Sequence, residues 1–202
     1  MIKAVIFDLG NTIIPFDFTR SYARMTALCG HDAPEIRRRI GATDLVVRLE
    51  SGQIDPEDFI RQISALLGVE ISFDEFLDLW GSIFERETLI PDSLPATLRE
   101  NGYRLVVLSN TNDLHMRFIR ERYPILRHFH SLVLSHEVGA QKPSPKIYAE
   151  AIRQADCLPG ECFFTDDIEQ YVEGAKQAGI DAVQFKKYEQ LREELLVRGV
   201  RI

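Results

Sequence analysis

The sequence predicts an α/β protein: a parallel sheet covered by helices on both faces. Two observations carry this. Short apolar runs rich in Val, Ile and Phe recur at 3–7, 104–108, 131–134, 161–165 and 182–185. Helical patterns fall between and after the later runs, at 94–101, 114–123, 145–155, 168–178 and 189–197. Strands alternating with helices imply crossover connections and hence a parallel sheet buried on both faces. Turn signals such as Asn101-Gly102 and Ala178-Gly179 close several of the helices.

The stretch from Pro15 to Pro91 breaks this rhythm and contains no convincing strand. Helical patterns run through 18–29, 34–39, 44–50, 55–67 and 72–84. Asp55 is placed as an N-cap, with Pro56 at the first helical position and Asp58 three residues on; Ser72 stands likewise before Asp74 and Glu75. The expected organisation is therefore an α/β core of residues 1–14 and 91–202, with an all-helical insertion, 15–90, after the first strand. Its place beside Asp8 favours a lid that excludes water and supplies specificity contacts.

The net charge of −7 disfavours nucleic acid or an anionic membrane as partner. No apolar stretch approaches the ~20 residues of a membrane span. The N-terminus opens directly on a strand-like run with no secretory h-region, and Cys29, Cys157 and Cys162 lack metal spacing, so a reducing cytoplasm is expected.

Four places carry chemistry. Asp8 follows the apolar run Ala4–Phe7, where a carboxylate held at a strand end can attack an electrophilic centre. Ser109 ends Val-Val-Leu-Ser, and a hydroxyl with adjacent amides at a strand-to-helix turn suits a phosphate oxygen. Lys142, stiffened by Pro143 and Pro145, offers a fixed ammonium; Lys146 is the weaker candidate inside the next helix. Asp166-Asp167 is an acidic pair that is costly without a cation, and Mg²⁺ suits it.

The order nucleophile, hydroxyl, cation, acidic pair resembles the haloacid dehalogenase superfamily of the type with an inserted helical (C1) cap, over essentially the whole chain. The stretches at 7–11, 49–54 and 108–115, and Lys142-Pro143 followed by Ile147-Tyr148, are similar to its bacterial α-D-glucose-1-phosphate phosphatase subgroup. The resemblance implies a Rossmann-like core and a Mg²⁺-dependent aspartyl-phosphate mechanism on a small sugar phosphate. It makes Asp8 nucleophile and metal ligand, with the Gly10 carbonyl and Asp167 also on the metal. Asp166 becomes a second ligand or a supporting partner. Ser109, Asn110 and Asn11 become phosphate contacts, and Lys142 balances charge. Asn usually stands at the position of Tyr171.

Most phosphatases of the superfamily carry a second aspartate two residues after the nucleophile, where this chain has Gly10. Such acid–base help is worth ~10²–10⁴-fold. A sugar 1-phosphate leaves more easily than a simple alkoxide, so Gly10 points toward an anomeric substrate. Asp17 or Glu50 could reach the leaving oxygen instead, though Asp17 reads better as a helix cap. Within the insertion, Arg48 and Glu50 precede the Ser51-Gly52 turn and are the expected sugar contacts. His115 fits either a substrate-orienting or a capping role, and Trp80 fits the insertion's core.

Two alternatives compete. A metal-independent 2-haloacid dehalogenase also lacks the second aspartate, but needs no acidic pair at 166–167. A degenerate, non-catalytic phospho-ligand-binding protein would not need Asp8, Lys142 and Asp167 together. A phosphonate hydrolase would need a lysine in the insertion, and all six lysines lie outside it. The expected assembly is a monomer or homodimer.

Overall fold

The computed structural model describes all residues 1–202. Five strands, β1 (Ala4–Phe7), β2 (Arg104–Ser109), β3 (Ser131–Leu134), β4 (Cys162–Asp166) and β5 (Asp181–Gln184), form one sheet in the order β3-β2-β1-β4-β5. Every pairing is parallel. All five follow the apolar runs of the sequence, displaced by at most one residue at either end. The chain winds outward in both directions from β1, so the reversal of strand order lies between β1 and β4. The crevice beyond the strand ends at such a reversal is where ligands bind in open parallel sheets.

Side chains alternate across the sheet with the period of two that a strand imposes. Val5, Phe7, Leu105, Val107 and Phe163 point to one face, under α6 (Ser93–Glu100), α7 (Asp113–Arg122) and α11 (Tyr188–Val197). Ala4, Ile6, Val106, Leu108 and Phe164 point to the other, under α9 (Pro145–Ala155) and α10 (Glu169–Gln177). A short helix, α8 (Ser135–Val138), follows β3 directly.

Between β1 and α6 come five helices, α1 (Phe18–Cys29), α2 (Ala33–Gly41), α3 (Leu45–Glu50), α4 (Pro56–Leu67) and α5 (Phe73–Gly81). Four start on the side-chain caps expected of aspartate or serine. Asp17 accepts from the Thr19 amide, Asp32 from Glu35, Asp55 from Asp58, and Ser72 forms a capping box with Glu75. Asp17 is thus an exposed cap, also bound to the Thr19 hydroxyl at 2.6 Å, and is not a cleft acid. The last helical pattern stops at Gly81 rather than 84. The chain turns there, and Phe84 forms an antiparallel bridge with Phe16 where the insertion enters and leaves.

The helical unit has its own core of Met25, Ile36, Leu49, Phe59, Ile63, Phe76, Trp80 and neighbours, joined by Leu114 from α7. Trp80 is fully buried within it, as its position on the apolar face of α5 suggested. None of the helices is long and apolar enough to cross a membrane.

Gly81 sits where α5 meets α7, and a Cβ there would collide with the Phe118 ring. In a free helix Gly→Ala is stabilising by about 1 kcal/mol. Here Gly81→Ala is expected to destabilise by about 1–3 kcal/mol through overpacking, read as a lower midpoint in urea denaturation.

Candidate active site

Three strand ends and two loops converge on one cleft of about 250 Å³. It is lined by Asp8, Gly10 and Asn11 after β1, Ser109 at the end of β2 and Asn110 just beyond it, Gln141 and Lys142 before α9, and Asp167 and Tyr171 after β4. The helical unit contributes Phe16, Phe18, Phe84 and Glu50, and α7 contributes His115. The volume lies below the ~300–1,000 Å³ usual for drug-sized ligands, which suits a small metabolite.

Lys142 is the centre of the floor. Its Nζ donates to Asp8 Oδ1 at 2.6 Å, to Asp166 Oδ2 at 2.6 Å and to the Leu108 carbonyl at 3.1 Å. All three ammonium hydrogens are used, in a site almost closed to solvent. Burial alone would drive the proton off, but the two carboxylates outweigh it and hold the lysine's pKa above its ordinary value. Burial raises the Asp8 pKa, Lys142 opposes this, and Asp166 adds to it.

Asp166 also accepts from the Ile168 amide at 2.8 Å. Both of its oxygens are thereby engaged by protein donors, which suits the supporting one of the two roles expected of it, while its carboxylate stays within the same acidic cluster as Asp8 and Asp167. Asn110 is likewise committed. Its Oδ1 accepts from the Lys142 amide at 2.7 Å and its Nδ2 donates to the Lys142 carbonyl at 3.1 Å. The side chain read as a phosphate contact instead clamps the lysine's backbone. Tyr171 joins this clamp: its hydroxyl accepts from Asn110 Nδ2 at 3.3 Å, and the Lys142 ammonium lies 5.0 Å from its ring centroid. Tyr171 therefore ties the start of α10 to the loop after β2. Lys146 lies exposed on α9 and plays no part in the floor.

Asp8, Asp166 and Asp167 bring one carboxylate oxygen each within 4.8 Å of one another. Three acids facing a single ammonium leave excess negative charge, and oxygen donors of this kind fit a hard divalent cation. Burial and the neighbouring Asp166 both raise the pKa of Asp167, the signature of a carboxylate short of a counter-charge. Asp8 and Asp167 are the carboxylates that would hold Mg²⁺, beside the backbone of Gly10.

Asn11 adopts a left-handed backbone (φ 52°), and its Oδ1 accepts from the Phe16 amide at 3.1 Å. This closes the turn that swings the chain from β1 into the helices. Arg48 is not among the lining residues; it faces Asp44 at 3.8 Å, because the helix turns it away from its neighbour Glu50. The sequence reading missed the Ser135 hydroxyl, which bonds the Glu50 carbonyl at 2.6 Å and accepts from the Thr111 amide at 2.9 Å. It also missed Gln141, although its place beside Lys142 was a usable signal.

His115 is buried between Trp80, stacked at 5.7 Å, and Phe84, edge-on at 5.0 Å. Asn112 caps α7 by accepting the His115 amide on Oδ1, which leaves its Nδ2 donating to His115 Nδ1 at 3.1 Å. That assignment puts the imidazole proton on Nε2, which has no partner in the protein. The ring is a neutral donor that lines the cleft.

The chain belongs to the haloacid dehalogenase-like hydrolases, whose family pattern it matches over residues 2–179. It is 28% identical to D-ribitol-5-phosphate phosphatase of Bacteroides thetaiotaomicron, over 98% of both chains. It is 28% identical to glyceraldehyde 3-phosphate phosphatase of Methanopyrus kandleri, over 93% of this chain and 85% of the other. Among solved structures, a haloacid dehalogenase family enzyme from B. thetaiotaomicron, in complex with magnesium and inorganic phosphate, superposes with a TM-score of 0.82. It is 27% identical, over 93% of this chain and 96% of that one.

Burial lowers the His115 pKa from 6.5 to about 3. The unfolded chain therefore binds a proton that the folded chain refuses between these values, so the contribution is complete above pH ~6.5 and lost as pH falls. The stability difference between wild type and His115→Gln should shift against wild type by about 2 kcal/mol from pH 7 to pH 5, measured by chemical denaturation at both values.

Proposed function

We propose that this protein is a Mg²⁺-dependent phosphomonoesterase that releases phosphate from a small sugar or polyol phosphate through an aspartyl-phosphate at Asp8. The observation that carries the reading is the buried Lys142 ammonium bridging Asp8 and Asp166 at 2.6 Å each, with Asp167 alongside. The lysine fixes the rotation of the nucleophile and opposes the rise in pKa that burial imposes on it. Asp8 attacks phosphorus, the ester oxygen leaves, and water then cleaves the acyl phosphate to regenerate the carboxylate. Ser109 lines the cleft with Asp8, where its hydroxyl would donate to a phosphoryl oxygen, while the Lys142 ammonium, its three hydrogens engaged, would act through its charge alone. Bound Mg²⁺ supplies further charge neutralisation on those oxygens.

The small cleft and the names of the relatives, a ribitol phosphate and a glyceraldehyde phosphate phosphatase, support the substrate class. The narrower reading, a sugar 1-phosphate, rests on Gly10 and applies if no other group protonates the leaving oxygen. Equal rates on glucose 1-phosphate and glucose 6-phosphate would remove it. The acidic pair speaks against a metal-independent dehalogenase, and the intact Asp8–Lys142 pair against a binding protein without activity.

Phosphate release from p-nitrophenyl phosphate should require Mg²⁺ and stop on chelation. Asp8→Asn should lower it by at least ~10³-fold, in line with the loss of a nucleophile in other covalent hydrolases. Activity retained by Asp8→Asn, or chloride release from 2-chloropropionate without metal, would overturn the proposal.

A further inference from the structure

Position 10 does not merely lack an acid; its place is filled. A Cβ built on Gly10 would lie 2.6 Å from Cε1 and 3.1 Å from Cδ1 of Phe16. The ring is wedged there by edge-on contacts with Phe18 at 5.5 Å and Phe84 at 6.2 Å. A proton donor for the leaving group must come from elsewhere in the cleft.

Only three carboxyl groups line it: Asp8, Asp167 and Glu50. The first two belong to the nucleophile and the cation site. The Lys142 protons are all donated, and His115 stays neutral with its proton held on Nε2. Glu50 is left. It ends α3 in the helical unit and is held from the core at two points. The Ser135 hydroxyl bonds its carbonyl at 2.6 Å, and Gln141 Nε2 donates to its Oε2 at 3.2 Å. The following turn is pressed against α8, since a Cβ on Gly52 would collide with the His136 carbonyl. A carboxyl so anchored has a fixed position relative to Lys142, one residue beyond Gln141.

We infer that Glu50 is the general acid and base of this phosphatase, replacing from the helical unit the function that Gly10 cannot perform; the inference rests on the phosphatase reading above. Burial with no compensating cation pushes its carboxyl up to about 7, so a large fraction carries a proton near neutrality. In the first step the Asp8–phosphorus bond forms, the bond from phosphorus to the ester oxygen breaks, and the Glu50 proton passes to that oxygen. In the second, water attacks phosphorus, its proton returns to Glu50, and the Asp8–phosphorus bond breaks to free phosphate. With the acid on the roof of the cleft, the leaving alcohol must extend toward the helical unit. Primary-alcohol esters of sugars and polyols then become substrates without any need for an anomeric leaving group.

The test compares kcat/KM, which reads only the steps through phosphoryl transfer, on two esters. Glycerol 1-phosphate needs its leaving oxygen protonated; p-nitrophenyl phosphate scarcely does. Glu50→Gln should lower kcat/KM by about 10²-fold on the alkyl ester and by far less on the aryl ester. Should Glu50→Gln not fold, Glu50→Asp, which withdraws the acid by one methylene, should show the same inequality on a smaller scale. Equal losses on both esters, or no loss on either, would overturn the assignment. A wild-type enzyme inert on both esters would overturn the phosphatase reading itself.

Discussion

One buried ammonium organises this molecule. Lys142 draws the ends of β1, β2 and β4 together by bonding Asp8, the Leu108 carbonyl and Asp166 at once. Without it two carboxylates would face each other in a site that water barely reaches, a far larger cost than any surface ion pair could offset. The contact links residues 134 positions apart and depends on the loop before α9 being held in place. Asn110 does this by gripping the lysine's backbone at its N–H and its carbonyl, and Tyr171 by accepting from Asn110 and setting its ring beside the ammonium. The Asn110 side chain is thereby committed to placing the lysine.

The helical unit meets this floor through an aromatic seam. Phe16, Phe18, Phe84 and His115 form the cleft's apolar wall, and Trp80 backs it by stacking on His115. The wall makes the site asymmetric: charge and hydrogen-bond donors lie at the strand ends, apolar surface and a single carboxyl lie opposite. That division fits a ligand with a phosphate at one end and a compact, partly apolar, partly hydroxylated body at the other.

The fold and the residues at strand ends were legible in the sequence because their signals are local. Asp8, Ser109 and Asp166 each terminate an apolar run, and the residue that ends a buried parallel strand has only the crevice to face. The limits of the helices were legible wherever Asp or Ser could cap. What escaped depends on contacts between distant segments. Arg48 and Glu50 look equivalent in sequence, two residues apart before a turn, yet α3 turns one toward Asp44 and the other into the cleft. Asn110 carries a residue type suited to phosphate, and only the loop of Lys142 packed against it reveals its actual work. The filling of the Gly10 slot by Phe16 depends on a turn closed by Asn11 in a left-handed conformation, which spacing alone does not disclose. Ser135 gave no signal, being an ordinary serine until Glu50 is seen above it.

The seating of α5 on α7 carries a further meaning. Leu114 leaves the sheet's helix layer to complete the hydrophobic centre of the insertion, and Gly81 lets the Phe118 ring approach the α5 backbone closely. Any movement of the insertion away from α7 would have to withdraw Leu114 from that centre. The roof and the helix layer beneath it thus share side chains in one interior rather than merely resting on each other.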